Sequence, residues 1–547
     1  MNRKKITWID LGIMAVLFVI ALAVICLSGG HYVLTDRNGF FLAAGSDSYH
    51  YVKLLFDYLK SGRISPFDAN NKNLLPAITA VIIRLTGADA HTVAGYISPV
   101  FLSLCVIPAY LFTAKRSSRI GGTVAALATA LAPFLVLRSL SGSFDTDAIT
   151  ALLALSIVTL ALECAEAGTK KSRLLYGLFT AGCLILLFFT WSRWYFYALP
   201  AAGVLVLAFL MNPSTSRWAR LLTVAALILL VIYAFPKIKD FSVDMSYYIN
   251  KNFNPGESPN PFAKVSELEQ LPFRLIVVYG GGLWFFICVI LGIVLLILER
   301  KKTGLITAIT LPIWFAGTAF LSAFAIRVVA LASLPAALLA GFFAGLAPVK
   351  LCEGFDLSED KRAKIVTVCF SVFLGITVLF GPVMYSCQIV QQYADDRLIS
   401  EDMSDACVFL RDETPKDSVP VSWWDYGYFY KYASEREPLT DGGNHTGYLD
   451  MTIARGLMEP DSIKAREYFL EALGSSADRP AYLIISEDML EKKEAIRYYA
   501  DWNRPDAERK SGEAKNALML RLFREKTDAQ DVFEPVFDSD SVKIYRF

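Results

Sequence analysis

The stretch "ITWIDLGIMAVLFVIALAVICL", residues 6–27, follows the basic run "MNRKK". As a helix it reaches about 30 Å, enough to cross the hydrocarbon core of a bilayer. A cleavable signal peptide is the competing reading, but the apolar run is long for one and "SGGHYV" after it is a poor small-residue cleavage site. The expectation is an uncleaved anchor. Composition points the same way: the 547 residues are 54% hydrophobic, 13% aromatic and only 19% charged, with mean hydropathy +0.43. That is too apolar for a soluble protein of this size. Lys and Arg total 53 against 52 Asp and Glu, so net charge marks no nucleic-acid partner and none is expected; the placement of the charges is what informs.

Further apolar runs lie near 94–114, 120–137, 147–166, 175–190, 196–212, 218–236, 273–298, 304–320, 321–347 and 365–386. If each crosses once, "KRSSR" (115–119), "TKKSR" (169–173), "RWAR" (217–220), "ERKK" (299–302) and "EDKRAK" (359–364) share a side with "MNRKK". By the positive-inside rule that side is cytoplasmic. The count is about 11, up to 13 if Gly- and Pro-rich runs hide a short hairpin. The expected organisation is a membrane domain over 1–388, with outer loops 29–93 and 237–272, and an external domain over 389–547. That last part is charged and alternates helical patterns such as "DSIKAREYFLEALG" with strand-like runs such as "AYLIIS", so it reads as mixed α/β. Of nine cysteines, seven lie in or at the ends of apolar runs, Cys352 falls in a loop and Cys407 lies well beyond the last run; with no CxxC spacing they read as small core residues.

Acidic residues gather on the expected outer side. Asp47 follows the first run, Asp145 and Asp147 stand at the mouth of a later helix in "SFDTDAIT", and Glu267 ends the long loop in "AKVSELEQ". An Asp-x-Asp pair, locally extended, turns both carboxylates to one side and suits a hard divalent cation, Mg2+ or Mn2+. The competing reading makes Asp147 a helix-dipole charge and Asp145 its cap; Asp47 and Glu267, each taken alone, read first as solvated loop residues. Two arginines accompany them, Arg138 seven positions before Asp145 and Arg327 in "AFAIRVVAL", expected near the outer end of its helix. Binding a phosphate and snorkelling to the interface are both open for Arg327.

The external domain carries "VSWWDYGY" (421–428) and then "DGGNHTG" (441–447). Two tryptophans and two tyrosines stand around one carboxylate in a region otherwise polar and charged, and packing in the core of the external domain is the competing reading. Taken in order with Asp47, "DTD" and "VSE", these motifs resemble the catalytic subunit of oligosaccharyltransferase, in its single-subunit bacterial and archaeal form, over nearly the whole chain. The resemblance implies a C-type glycosyltransferase fold of about 13 spans. It also implies en bloc transfer of a glycan from a polyprenyl phosphate or pyrophosphate carrier to the Asn amide of an N-x-S/T sequon, by a single subunit in the inner or plasma membrane. The partners it implies are the lipid-linked oligosaccharide, the acceptor polypeptide and the surrounding lipid.

The same resemblance assigns Asp47, Asp145, Asp147 and Glu267 to a metal, with Asp47 and Glu267 also on the acceptor amide. It gives Arg327 the carrier's pyrophosphate, makes Arg138 a further active-site arginine, and places Trp423, Trp424 and Asp425 around the sequon Ser or Thr. Met489, Lys492 and Ile496, spaced three then four on one helical face, resemble the family's second pocket motif but mix its variants. Arg274 resembles an arginine that pairs with an acidic side chain two residues before the acceptor Asn, although its spacing from Glu267 is short. The alternatives are an O-mannosyl or aminoarabinose transferase, which lacks WWDYG, a transporter lined by the arginines, and a scaffold whose external domain is the working part.

Overall fold

The computed structural model describes residues 6–27, 33–64, 67–68, 71–211, 272–324, 326–354, 361–393, 399–503, 516–524 and 531–547, with scattered positions between 216 and 259. Its contacts divide into two compact units, Met1–Tyr32 with Gly62–Ser242 and Glu269–Asp396, and Val33–Ser61 with Val243–Leu268 and Arg397–Phe547.

In the first unit, seven helices among the described residues are long and apolar enough to cross a membrane. They are Trp8–Leu27, Ala90–Arg116, Asp147–Ala165, Lys170–Thr190, Leu305–Ser322, Val328–Glu353 and Ile365–Tyr393. The chain is a multi-pass membrane protein. Phe273–Tyr279 and Leu283–Leu298 make an eighth span if counted as one, bent by 77°. At that bend Gly281 and Gly282 have φ of 106° and 93°, the left-handed region that residues with a Cβ avoid. The expected run 218–236 lies mostly outside the described residues.

Four expectations need correction. Residues 120–137 do not form one helix: Arg119–Ala130 ends and Pro133–Leu137 restarts, because Pro133 has no N–H to continue the ladder and pushes Ala132 to an extended conformation. Residues 321–347 likewise break, so Arg327 sits in the turn before Val328–Gly354 and not inside a span. Cys352 belongs to the last turn of that helix. A short apolar helix, Leu74–Thr86, also lies within the stretch read as an outer loop.

Close helix crossings use small residues. A Cβ on Gly341 would stand 2.6 Å from the Gly121 carbonyl oxygen, and one on Gly292 only 2.1 Å from that of Leu339, so backbones approach as in small-xxx-small packing. The "KRSSR" cluster is not simply a solvated loop. Arg116 is 1% exposed and pairs with Glu163 and, at 3.1 Å, with Glu166. Glu166 also accepts the Thr307 N–H at 3.0 Å. Arg119 donates to Asp10 at 2.8 Å, as does the Tyr110 hydroxyl at 2.8 Å. Charge in an apolar unit persists only when paired in this way.

The first unit also has a two-residue antiparallel ribbon, β1 (Phe67–Asp68) with β2 (Asn71–Lys72). The second unit is built on a four-stranded sheet in the order β3 (Val419–Val421), β4 (Ala481–Ser486), β6 (Val542–Arg546), β5 (Glu534–Asp538). β3 and β4 are parallel and the other pairs antiparallel. "AYLIIS" is buried at every position, as a strand covered on both faces must be. Helices Glu401–Glu413, Gly447–Met458 and Ser462–Leu473 start at Ser400, Thr446 and Asp461, whose side chains accept the orphan N–H groups of the first turn.

Candidate functional site

The first unit holds the "DTD" carboxylates. The chain leaves Pro133–Leu137, turns through Arg138–Thr146 and enters the helix Asp147–Ala165. Arg138 spans the pair, with Nε 2.6 Å from Asp147 Oδ2 and Nη2 3.0 Å from Asp145 Oδ2. Arg327 Nη2 stands 3.3 Å from the other oxygen of Asp147. Thr146 has helical dihedrals, so the tripeptide is not extended as expected; the carboxylates nonetheless converge, because one guanidinium receives both. The N-cap residue of the helix is Thr146, and the Asp145 side chain accepts the Thr146 N–H at 2.5 Å. Asp147, in the first turn, also has the dipole-favoured place.

The aromatic pocket belongs to the second unit. β3 and β4 are parallel, so their carboxyl ends share one edge of the sheet, the usual place for a ligand site beside parallel strands. Trp423–Tyr426 follow β3 and Met489–Lys492 follow β4, which brings together two motifs more than 60 positions apart in the chain. Lys492 Nζ lies 2.7 Å from Asp425 Oδ2 and 2.8 Å from the Tyr426 hydroxyl. Trp423 is buried edge-on against Tyr499 at 5.5 Å. Trp424 stacks on His445 at 4.5 Å and 10°, while its indole Nε1 is buried with no hydrogen-bond partner among the described residues. Met489 and Ile496 are both fully buried, but the three motif residues do not share one helix. Glu487–Glu491 ends and Lys493–Ala500 begins at Lys492, whose position at the break lets the side chain turn toward Asp425.

"DGGNHTG" closes the pocket. Asp441 accepts the N–H groups of Gly443 and Asn444 at 2.9 and 2.7 Å, and His445 Nδ1 meets Asp450 Oδ2 at 2.9 Å. Burial raises the Asp450 carboxyl above the ordinary Asp range, against the opposing pull of His445. A Cβ at position 442 would reach 2.8 Å from the Tyr428 ring and displace it. The same Cβ would be 3.5 Å from Asp47 Oδ1, which places Asp47, in the first turn of Ser46–Ser61, beside this loop. Sequence reading placed Asp47 in an outer loop on the same side as WWDYG and missed the His445–Asp450 pair. The "DGGNHTG" string was the available signal.

Glu267 lies outside the described residues. Arg274 is exposed on Phe273–Tyr279. Among the described residues no group of three or more His, Cys, Asp or Glu is arranged to hold a metal ion.

The family profile "Oligosaccharyl transferase STT3, N-terminal" matches residues 13–253, and "STT3/PglB/AglB core domain" matches 416–471, the segment that carries WWDYG. The chain belongs to the STT3/PglB/AglB family. Among curated members, the dolichyl-phosphooligosaccharide-protein glycotransferase of Methanococcus voltae is 21% identical over 583 residues, covering 82% of this chain and 63% of its own length. The chain thus spans less than two thirds of that relative. Archaeoglobus fulgidus AglB, solved with an inhibitory peptide and a dolichol-phosphate, superposes with a TM-score of 0.70 at 14% identity, over 91% of this chain and 71% of AglB. A second structure of that enzyme, in complex with Zn and sulfate, gives 0.63 at 15% identity over 89% and 70%. ArnT of Cupriavidus metallidurans gives 0.52 at 13% identity over 98% of both chains. These likenesses establish a C-type glycosyltransferase fold with a mixed α/β domain.

Proposed function

We propose that the chain is an oligosaccharyltransferase, moving a glycan en bloc from a polyprenyl phosphate or pyrophosphate carrier to the Asn amide of N-x-S/T sequons. The observation that carries this reading is the buried indole N–H of Trp424, adjacent in the chain to Asp425 and without a hydrogen-bond partner among the described residues. A Ser or Thr hydroxyl can accept from that N–H and donate to the Asp425 carboxylate, satisfying both. An acceptor with Ala at this position leaves the buried indole N–H without that acceptor, which discriminates against it. Lys492 holds Asp425 in position at 2.7 Å; Trp423, Met489 and Ile496 form the apolar wall.

An amide nitrogen is a poor nucleophile because its lone pair is delocalised into the carbonyl. Asp47 and Glu267 accept hydrogen bonds from the acceptor NH2 and weaken that conjugation. Arg327 stabilises the leaving phosphate, and Arg138 holds Asp145 and Asp147 in place. Arg274 takes an acidic side chain two residues before the acceptor Asn. The convergence of Asp145 and Asp147 on one positive centre fits a hard divalent cation, Mg2+ or Mn2+. The resemblance, not the geometry, adds Asp47 and Glu267 to its ligands. Such an ion would supply positive charge for the departing (pyro)phosphate.

The protein works as a single subunit in the cell membrane, N-terminus cytoplasmic and residues 389–547 outside. The test is mass spectrometry of an N-x-T peptide after incubation with the protein and a lipid-linked oligosaccharide. Modification lost when Asn becomes Gln, and when Asp47 becomes Ala, supports the reading; sugar transfer to another acceptor with the peptide untouched overturns it.

A further inference from the structure

Asp47 reaches its place by a short hairpin that precedes it. Thr35 and Phe41 form an antiparallel bridge, Leu42 N–H returns to Leu34 O at 2.8 Å, and Gly39 closes the turn with φ 80°, a conformation glycine adopts without strain. Asp36 secures the turn from inside by accepting the N–H groups of Asn38 and Phe40 at 2.9 and 2.8 Å.

The tip of this hairpin is fastened to the helix Glu401–Glu413. Arg37 pairs with Asp405 and, at 3.3 Å, with Glu401. Asn38 Nδ2 donates to Ser404 Oγ at 2.9 Å and to Asp405 Oδ1 at 2.8 Å, and the Ser404 hydroxyl donates to Asp36. Its far end is fastened to the helix Gly427–Ala433: Phe41 N–H donates to the Tyr432 hydroxyl at 3.0 Å, and Phe40 sits edge-on to Phe429 and Tyr432. Tyr49, two residues after Asp47, packs on Phe429 at 4.9 Å and accepts the Ala43 N–H at 3.2 Å. In the acceptor pocket, Lys492 bonds Asp425 and the Tyr426 hydroxyl.

We infer that the hairpin 34–42 is a clamp that sets the position of the Asp47 carboxylate, with Arg37, Asn38 and Asp405 as positioning residues. The inference rests on the reading above, in which Asp47 touches the acceptor amide. Arg37 and Asp405 have side chains 57% and 36% exposed, and an exposed ion pair adds little global stability. Breaking it therefore leaves a folded protein in which a reacting group has shifted, and shifts well under 1 Å already cost rate.

The test uses the full chain in detergent micelles: Arg37→Glu, Asp405→Arg, and the two combined, which restore an opposite-charge pair. Each single variant is expected to lower kcat about tenfold with acceptor-peptide KM within about twofold of wild type, and to speed amide exchange across 46–52; the combination restores both. Asn38→Ser, which shortens the donor without opposing like charges, is the milder variant should a reversal fail to fold, with a smaller loss in the same direction. Unchanged kcat in folded single variants overturns the inference, as does a fall in kcat that the combination does not repair. If wild type forms no glycopeptide while the exchange pattern still follows the charge swap, the proposed function fails and the clamp on residues 46–52 stands.

Discussion

The Trp424 indole shows how a single atom separates folding from recognition. Its N–H has no partner among the described residues, so Trp424→Phe should weaken N-x-T peptide binding about fivefold, the worth of one neutral hydrogen bond, beyond any fall in melting temperature from the lost stacking on His445. Lys492→Met should act more strongly, raising acceptor KM about tenfold or more, because it removes a charge-assisted bond and leaves Asp425 half-buried without its ammonium. Isothermal titration and initial-rate kinetics check the two. His50 gives a pH test. Burial against Tyr428 holds its imidazole below the ordinary value, with Lys431 and Lys53 reinforcing and Asp441 opposing. Between that lowered value and about 6.5 the unfolded chain takes up a proton that the folded one refuses, so stability rises with pH through this window and levels off above it. Melting curves from pH 5 to 8 should flatten for His50→Gln, by at most about 1.4 kcal/mol per pH unit. At this scale WWDYG was legible because few roles need two indoles beside one carboxylate. The Asp36–Asn38 contacts were not, since their partners at Ser404 and Asp405 are more than 360 positions away.

Elements were legible where apolar length alone decides them and illegible where the backbone breaks for local reasons. Trp8–Leu27 and Asp147–Ala165 follow from composition. The breaks at Pro133, at Gly281–Gly282 and at Lys492 depend on φ preferences and tertiary packing that an apolar run conceals. The crossover from β3 to β4 is a case of its own: "AYLIIS" announces a strand, but only pairing explains why Met489 and Lys492 meet Asp425. The turn out of β3 has almost no room. A Cβ on Gly427 would stand 2.0 Å from the Thr440 carbonyl oxygen, backbone against backbone. Gly427→Ala should cost about 1–3 kcal/mol, seen as a lower melting temperature, and should impair peptide binding by displacing Asp441.

For the molecule as a whole, charge placement along the chain supports the proposed orientation. Alkaline phosphatase joined after Phe547 should be active and a fluorescent protein in the same place dark; the reverse would put the aromatic pocket in the cytoplasm. Chelation should stop glycopeptide formation, and Mn2+ or Mg2+ should restore it. Sequence placed residues 29–93 as one loop of a membrane domain, whereas contacts group Val33–Ser61 with Arg397–Phe547 and Gly62 onward with the helical unit. No local pattern marks that division, because the hairpin's anchors lie beyond all the spans.

The order of strands in the sheet has a consequence for synthesis. β4 lies between β3 and β6, and β6 leaves the ribosome 56 residues after Ser486, about 3–11 s later at ordinary translation speeds. For those seconds "AYLIIS" carries an open, apolar edge able to template pairing with another nascent chain, so slowing elongation beyond codon 486 should increase aggregation of newly made protein.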